Sequence, residues 1–232
     1  MNREQSHPPE QRPVSDALLD ALLQDLASGV YGSGLIAGLA VVIQAAVKKA
    51  RALQDRQAVE QDKQAYQDRV LLTEAVHRLR RETQGRRAIL LVSRNGGGVP
   101  APGVPVKVTA EAESVQDGVT RRSGEWIDRR PDEEYERLLA DVARSGGQPV
   151  RITTAGMKDG QLKRMYLQDG VVYAKVALVG FLPGHRGMVY VGAGWGEEGL
   201  NERGGLSPEQ QLRFWEGIER VRRIIGRHNR VV

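Results

Sequence analysis

Between Asp25 and Lys48 no side chain is charged, and Tyr31 is the one ionisable group in the run from Leu26 to Val47. Its centre, Leu35 to Ile43, is continuously apolar. As a helix rising about 1.5 Å per residue, the run spans roughly 30 Å, the thickness of a bilayer core. Gly34 and Gly38 stand four apart beside Ala37 and Ala40, the spacing of small residues that lets two helices approach closely. The expectation is a transmembrane helix over 29–47. The competing arrangement is a buried hairpin helix, because glycine and alanine gain little on transfer to lipid and Gln44 interrupts the run. A cleaved signal peptide is excluded, since the preceding segment is long and acidic and no basic residue directly precedes the apolar run.

Charge sets the expected orientation. Arg3 and Arg12 precede the run among Glu4, Glu10, Asp16, Asp20 and Asp25, whereas Lys48, Lys49, Arg51 and Arg56 follow it. The positive-inside rule places the N-terminus outside and the C-terminal part in the cytoplasm. Residues 1–14, with Pro8, Pro9 and Pro13 and no apolar pattern, read as a disordered tail. Residues 15–28 open on Ser15-Asp16 and place Leu18, Leu19, Leu22 and Leu23 on one side, a capped amphipathic helix suited to a membrane surface.

From Lys48 to Gln84 there is no glycine or proline, which predicts one long helix ended by Gly85. Apolar positions are sparse to about residue 69, the pattern of a solvated or coiled-coil stalk, and denser from Val70 to Leu79, where the helix can pack on a domain. Beyond Gly85, Ala88–Ser93 reads as a buried strand broken by Asn95-Gly96-Gly97-Gly98, and 104–111 alternates as a half-buried strand. Residues 132–144 are helical, with Tyr135, Leu138, Leu139 and Val142 on one face, and 151–154 is a short strand. Two strong strands, 171–181 and 187–195, form a hairpin. Ser207-Pro208-Glu209-Gln210 caps a last helix with Phe214, Ile218, Val221 and Ile225 in one stripe. Ile89, Leu91, Val172, Ala174, Val176, Met188, Tyr190 and Phe214 are expected in the core. The apolar strands do not reveal which of their faces is buried.

The fold class is therefore α+β: N-terminal helices, one of them transmembrane, then an antiparallel sheet flanked by helices. The order helix, two strands, helix, strand, hairpin, helix resembles a GAF domain. "RAILLVSRNGGG" (87–98) resembles the first strand of GAF-like modules found behind a membrane helix in bacterial and phage proteins, with Arg94 where those modules carry histidine and Asn95-Gly96-Gly97 matching. "VKVTAEAE" (106–113) resembles the second strand, whose closing glutamate is Glu111 or Glu113. The hairpin 171–195 resembles the far side of the sheet. On this reading 70–226 is the GAF-like domain and 227–232 a basic tail.

The same resemblance excludes the best-defined GAF activities. Sulfoxide-reducing and bilin-attaching members need cysteine, and this chain has none. The Asn-Lys-x-x-x-Phe-Asp signature of cyclic-nucleotide binders is missing. What the resemblance implies is a pocket for an unidentified small molecule, or a domain kept for packing and dimerisation. Its ligand-binding candidates are Arg94, Asn95, Gly96 and Gly97 as an anion-binding turn, with Glu111, Trp126 and Trp195. For each, a bland role competes: a direction-changing turn for the glycines, core or rim packing for the tryptophans.

No catalytic residue, metal ligand or cofactor is expected. The four histidines are scattered singly, and no paired carboxylate or nucleophile-base arrangement stands out. The formal charge of +5 and pI near 9.6 leave nucleic acid open, but Arg222, Arg223, Arg227 and Arg230 lack interleaved aromatics, so it is an unlikely partner. The favoured function is a membrane-anchored, non-enzymatic sensory, regulatory or scaffolding module acting by ligand binding and self-association into a dimer or higher oligomer, with Gly34 and Gly38 packing helices. The alternative is a phage structural or holin-type membrane-lesion protein. With no output domain expected after residue 232, a signal is expected to travel through oligomerisation or partner binding.

Overall fold

The computed structural model describes Gln24 and residues 33–94, 106–181 and 187–227, with side chains of the first helix from Val42 onward. The chain divides into two compact units, Met1–Asp62 and Lys63–Val232. The expected tail 1–14, most of the helix at 15–28 and the turn 95–98 lie outside the described residues.

In place of a membrane span followed by a separate stalk there is one helix, α1, Ser33–Thr83. No helix among the described residues is long and apolar enough to cross a membrane. The uncharged part of α1 covers only 33–47 before Lys48, Lys49 and Arg51, roughly 22 Å of helix against the roughly 30 Å a bilayer core requires. This overturns the expected single-pass anchor and, with it, the placement of the N-terminus outside and the C-terminal domain in the cytoplasm. The holin-type alternative needed the same span and loses its support.

The helix ends by a mechanism the sequence only half announced. Gln84, not Gly85, takes the left-handed conformation (φ 56°). The Gly85 and Gln84 amides donate to the Arg80 and Arg81 carbonyls at 3.0 and 3.2 Å, the paired bonds of a Schellman cap. Gly85 is needed for space: a Cβ there would meet the Gly194 carbonyl at 3.3 Å and Trp195 Nε1 at 3.5 Å.

The second unit is built on β1 (Arg87–Arg94), β2 (Lys107–Val115), β3 (Val150–Thr153), β4 (Tyr173–Phe181) and β5 (Met188–Trp195). They form one antiparallel sheet in the order β2-β1-β5-β4-β3. Helices α2 (Glu133–Arg144) and α3 (Gln161–Gln168) lie between β2 and β4 in the chain, and α4 (Pro208–Gly226) closes it. The element order is that of a GAF-like α+β fold, with α3 as an unforeseen addition.

Both faces of the sheet are covered, which is why the central strands are apolar without alternation. On one face Ala75, Val76 and Leu79 of α1 pack with Leu90, Val92, Ala177, Val191, Trp195 and the α4 stripe Phe214, Ile218 and Val221. On the other, Leu91, Val108, Val176 and Tyr190 pack with Trp126, Tyr135, Leu139, Val142 and Leu162. Of the expected core, Ile89 and Val172 are half-buried at the margins and the rest are buried. α4 starts with the expected capping box, Ser207 and Gln210 exchanging hydrogen bonds at 2.9 and 3.1 Å.

Contact between α1 and α4 depends on a missing side chain. A Cβ on Gly217 would fall 2.5 Å from Leu79 Cδ1 and 3.3 Å from its Cβ, and Leu79 is fully buried. Gly217→Val is therefore expected to cost about 1–3 kcal/mol through overpacking, read as a lower midpoint of chemical denaturation. An unchanged midpoint would mean that the two helices separate without loss.

Candidate functional site

A cavity lies between the sheet and the α2/α3 layer. Ile89, Leu91, Val176, Tyr190 and Gly192 form its floor, Trp126, Tyr135, Leu162, Met165 and Tyr166 its roof, and Arg87 stands at one end. Its volume is about 40 Å³, space for two or three waters at roughly 10–15 Å³ each. Sites for drug-sized ligands occupy about 300–1,000 Å³. Aromatic side chains fill most of the layer: the Trp126 and Tyr135 rings lie 5.1 Å apart, with the Arg129 guanidinium 5.4 Å from the Trp126 ring.

The remaining space is polar at its edge. The Tyr135 and Tyr190 hydroxyls are 3.2 Å apart and fully enclosed. Their mutual bond uses one of two O–H donors, leaving the other for an occupant. Burial raises the pKa of both hydroxyls and pushes that of Tyr166 up to about 12, so all three are neutral donors at physiological pH. At Gly192 an added Cβ would meet Val176 and Ile89 only at 3.5 and 3.8 Å. A side chain is accommodated there, and its absence keeps the space open.

The Arg87 end is held by a buried ion network. Arg87 Nη1 donates to Asp169 Oδ2 at 2.6 Å, and Arg87 Nε lies 3.1 Å from Glu113 Oε1. The second Glu113 oxygen accepts from the amides of Arg122 and Ser123, both at 2.8 Å. Arg122 Nε completes the set at 3.2 Å from Asp169 Oδ2. The carboxylates reach these positions through two local irregularities. Opposite Leu90 and Leu91 of β1, β2 skips from Ala112 to Ala110, so Glu111 is the extra residue of a bulge. That slip reverses which residues of β2 face the cavity layer: Val108 before it and Glu113 after it point to the same side. Asp169 is fixed where α3 ends in a second Schellman cap, with Gly170 at φ 63° and the Val171 amide donating to the Tyr166 carbonyl at 2.8 Å.

The residues expected to bind ligand are dispersed. Arg94 and Glu111 approach to 3.7 Å as a partly exposed ion pair, away from Arg87 at the far end of β1. Asn95, Gly96 and Gly97 lie outside the described residues, as does His185. Trp126 lines the cavity, whereas Trp195 is buried on the other face, donating from Nε1 to the Thr83 carbonyl at 2.9 Å. Gly34 and Gly38 lie on α1. Sequence reasoning missed Arg87, Asp169, Tyr166 and Gly192 as lining or anchoring residues. Among the described residues no group of three or more histidine and carboxylate side chains is arranged to hold a metal ion.

No protein-family model and no curated protein matches the sequence. Solved GAF domains do resemble the fold. The blue-light-absorbing form of the PixJ GAF domain from Thermosynechococcus elongatus is 14% identical over 72% of this chain and 89% of its own, with a TM-score of 0.47. The phycocyanobilin-bound GAF domain of a cyanobacterial phytochrome is 12% identical over 74% and 91%, with a TM-score of 0.48. A far-red cyanobacteriochrome photoreceptor is 14% identical over 76% and 97%, with a TM-score of 0.45. The GAF-like description rests on this chain's own element order.

Proposed function

We propose that residues 63–227 form a non-enzymatic regulatory module that binds a very small polar molecule in the tyrosine-lined cavity and acts through self-association. The observation that carries the binding part is the spare hydroxyl donor enclosed by Tyr135 and Tyr190 above the open floor at Gly192. A buried donor without a partner is unfavourable, so an occupant bringing one acceptor gains a full hydrogen bond. The space of about 40 Å³ limits it to a few heavy atoms. A route to the helices is short, because Arg87 follows the end of α1 by four residues and the Thr83 carbonyl accepts bonds from both Trp195 of β5 and Gln210 of α4.

Gly192→Val fills the cavity and tests this reading. With small amides, alcohols and carboxylic acids as probes, the expected result is a rise in the melting temperature of the wild type that the variant lacks. If no probe stabilises the wild type while Gly192→Val melts higher without any, the space is a packing fault and the domain a scaffold.

Self-association has separate support. Tyr66 and Val70 stand one turn apart on α1 and are 71% and 49% exposed, neighbouring large apolar groups that suit a helix interface. Tyr66→Asp with Val70→Asp is expected to shift the chain toward monomer in analytical ultracentrifugation. An unchanged oligomer distribution would remove this face of α1 from the interface.

A further inference from the structure

We propose that Arg151, Lys175 and the Tyr173 hydroxyl form a binding site for the dianion of a phosphate monoester, at the β3 edge of the sheet and on the face opposite the tyrosine cavity. Arg151 and Lys175 are direct partners in the β3–β4 ladder, so their side chains leave the same face next to each other. Lys175 is only 7% exposed, with its ammonium 5.8 Å from the centre of the Phe214 ring of α4. Tyr173 lies two residues earlier on that face, is also 7% exposed, and stands diagonal to Arg151 in the ladder.

The arrangement opposes folding unless something neutralises it. Like charges directly opposite in a ladder repel, and an ammonium partly withdrawn from water loses hydration that no ion pair replaces. The cation–π contact returns part of that loss. Among the described residues no carboxylate lies within ion-pairing distance of either cation, whereas the buried Arg87 meets both Glu113 and Asp169. Burial, and next the Arg151 charge, lower the Lys175 pKa, with no acidic group acting in the other direction.

Charge and geometry identify the class of ligand. Two formal positive charges balance a dianion. A planar guanidinium, a compact ammonium and a hydroxyl supply three kinds of donor for the three terminal oxygens of a phosphate monoester, with Arg151 able to engage two of them at once. Arg151 is exposed at the sheet edge, so the site opens where a substituent on the fourth oxygen can extend into solvent.

Isothermal titration of the full chain with inorganic phosphate and with glycerol 3-phosphate, in chloride buffer of matched ionic strength, tests the site. The expected result is saturable binding of one equivalent per chain, weakened at least tenfold by Lys175→Met and by Arg151→Gln. At a phosphate concentration about a hundred times Kd, the wild-type melting temperature should rise by roughly 5–10 °C. Comparable affinity for both ligands assigns the site to the phosphate group itself, and tighter binding of glycerol 3-phosphate assigns it to an ester. Absence of saturable binding of either ligand to the wild type, or equal affinity in wild type and variants, overturns the proposal. Should Lys175→Met fail to fold, Arg151→Gln, a change at an exposed side chain, decides the matter alone.

Discussion

Asp169→Ala is expected to remove about 3–5 kcal/mol of stability, the cost of leaving an enclosed network of two arginines one carboxylate short. Asp169 is the shared acceptor of Arg87 and Arg122, and its side chain is 2% exposed against 6% for Arg87. Without it, Arg87 retains Glu113 but loses its 2.6 Å bond, and Arg122 has only the exposed Glu125 left as a carboxylate. At about 2–4 °C per kcal/mol for a chain of this size, the melting temperature should fall by roughly 10 °C. Arg137→Ala is the control, because its pair with Glu133 is exposed on both sides and is expected to contribute about 0.3–0.5 kcal/mol. High salt should weaken the Arg137 effect and leave the Asp169 effect in place, since enclosed charges are poorly screened. Equal losses for the two variants would show that water reaches the network. The consequence for the cavity is direct: Asp169 holds Arg87 in place at its end, so the variant should also lose any response to small-molecule probes.

What the sequence disclosed and what it concealed divide by the range of the interactions involved. The capping box Ser207–Gln210, the helix face of Tyr135, Leu139 and Val142, and the apolar strands of the hairpin are local patterns, and each became the element it announced. α3 was missed because its start is held from afar. Gly160 offers no side-chain cap, and the Gln161 amide instead donates at 2.7 Å to Asp132, which also caps α2 through the Tyr135 amide. The buried face of each central strand was undecidable for a physical reason: helices cover both sides, so neither parity is polar. Glu113 could not be placed from alternation because the bulge at Glu111 reverses the pattern midway along β2. The membrane reading failed on a question of extent: no helix among the described residues is long and apolar enough to cross a bilayer, and the uncharged part of α1 stops at Lys48. The glycine turn after Arg94 lies outside the described residues; of the cavity's aromatic lining, Trp126 stands among the expected ligand-binding residues, whereas Tyr135 and Tyr190 read as core.

Trp195→Ala is expected to be as damaging as the loss of Asp169, by a different mechanism. The indole is fully buried and makes ring contacts with Tyr173 at 5.9 Å and, edge-on, with Phe214 at 5.8 Å. It joins the end of β5 to α4, and its Nε1–H is donated to the Thr83 carbonyl at the last turn of α1. Truncation of a buried tryptophan costs about 3–5 kcal/mol through lost transfer energy and the cavity left behind. The helix-end carbonyl keeps the Gln210 Nε2 donor at 3.1 Å, so its own penalty is small. Trp195→Phe separates the two contributions: it restores most of the ring contact and removes the indole donor, and should recover more than half of the loss. Chemical denaturation is the measurement, with unfolding slopes compared to confirm that cooperativity is retained. If Trp195→Phe is as unstable as Trp195→Ala, the hydrogen bond to Thr83, and not the packing, is what ties the end of α1 to the sheet. A loss below about 1 kcal/mol for the alanine variant would mean that α1 and α4 hold this layer without the indole between them.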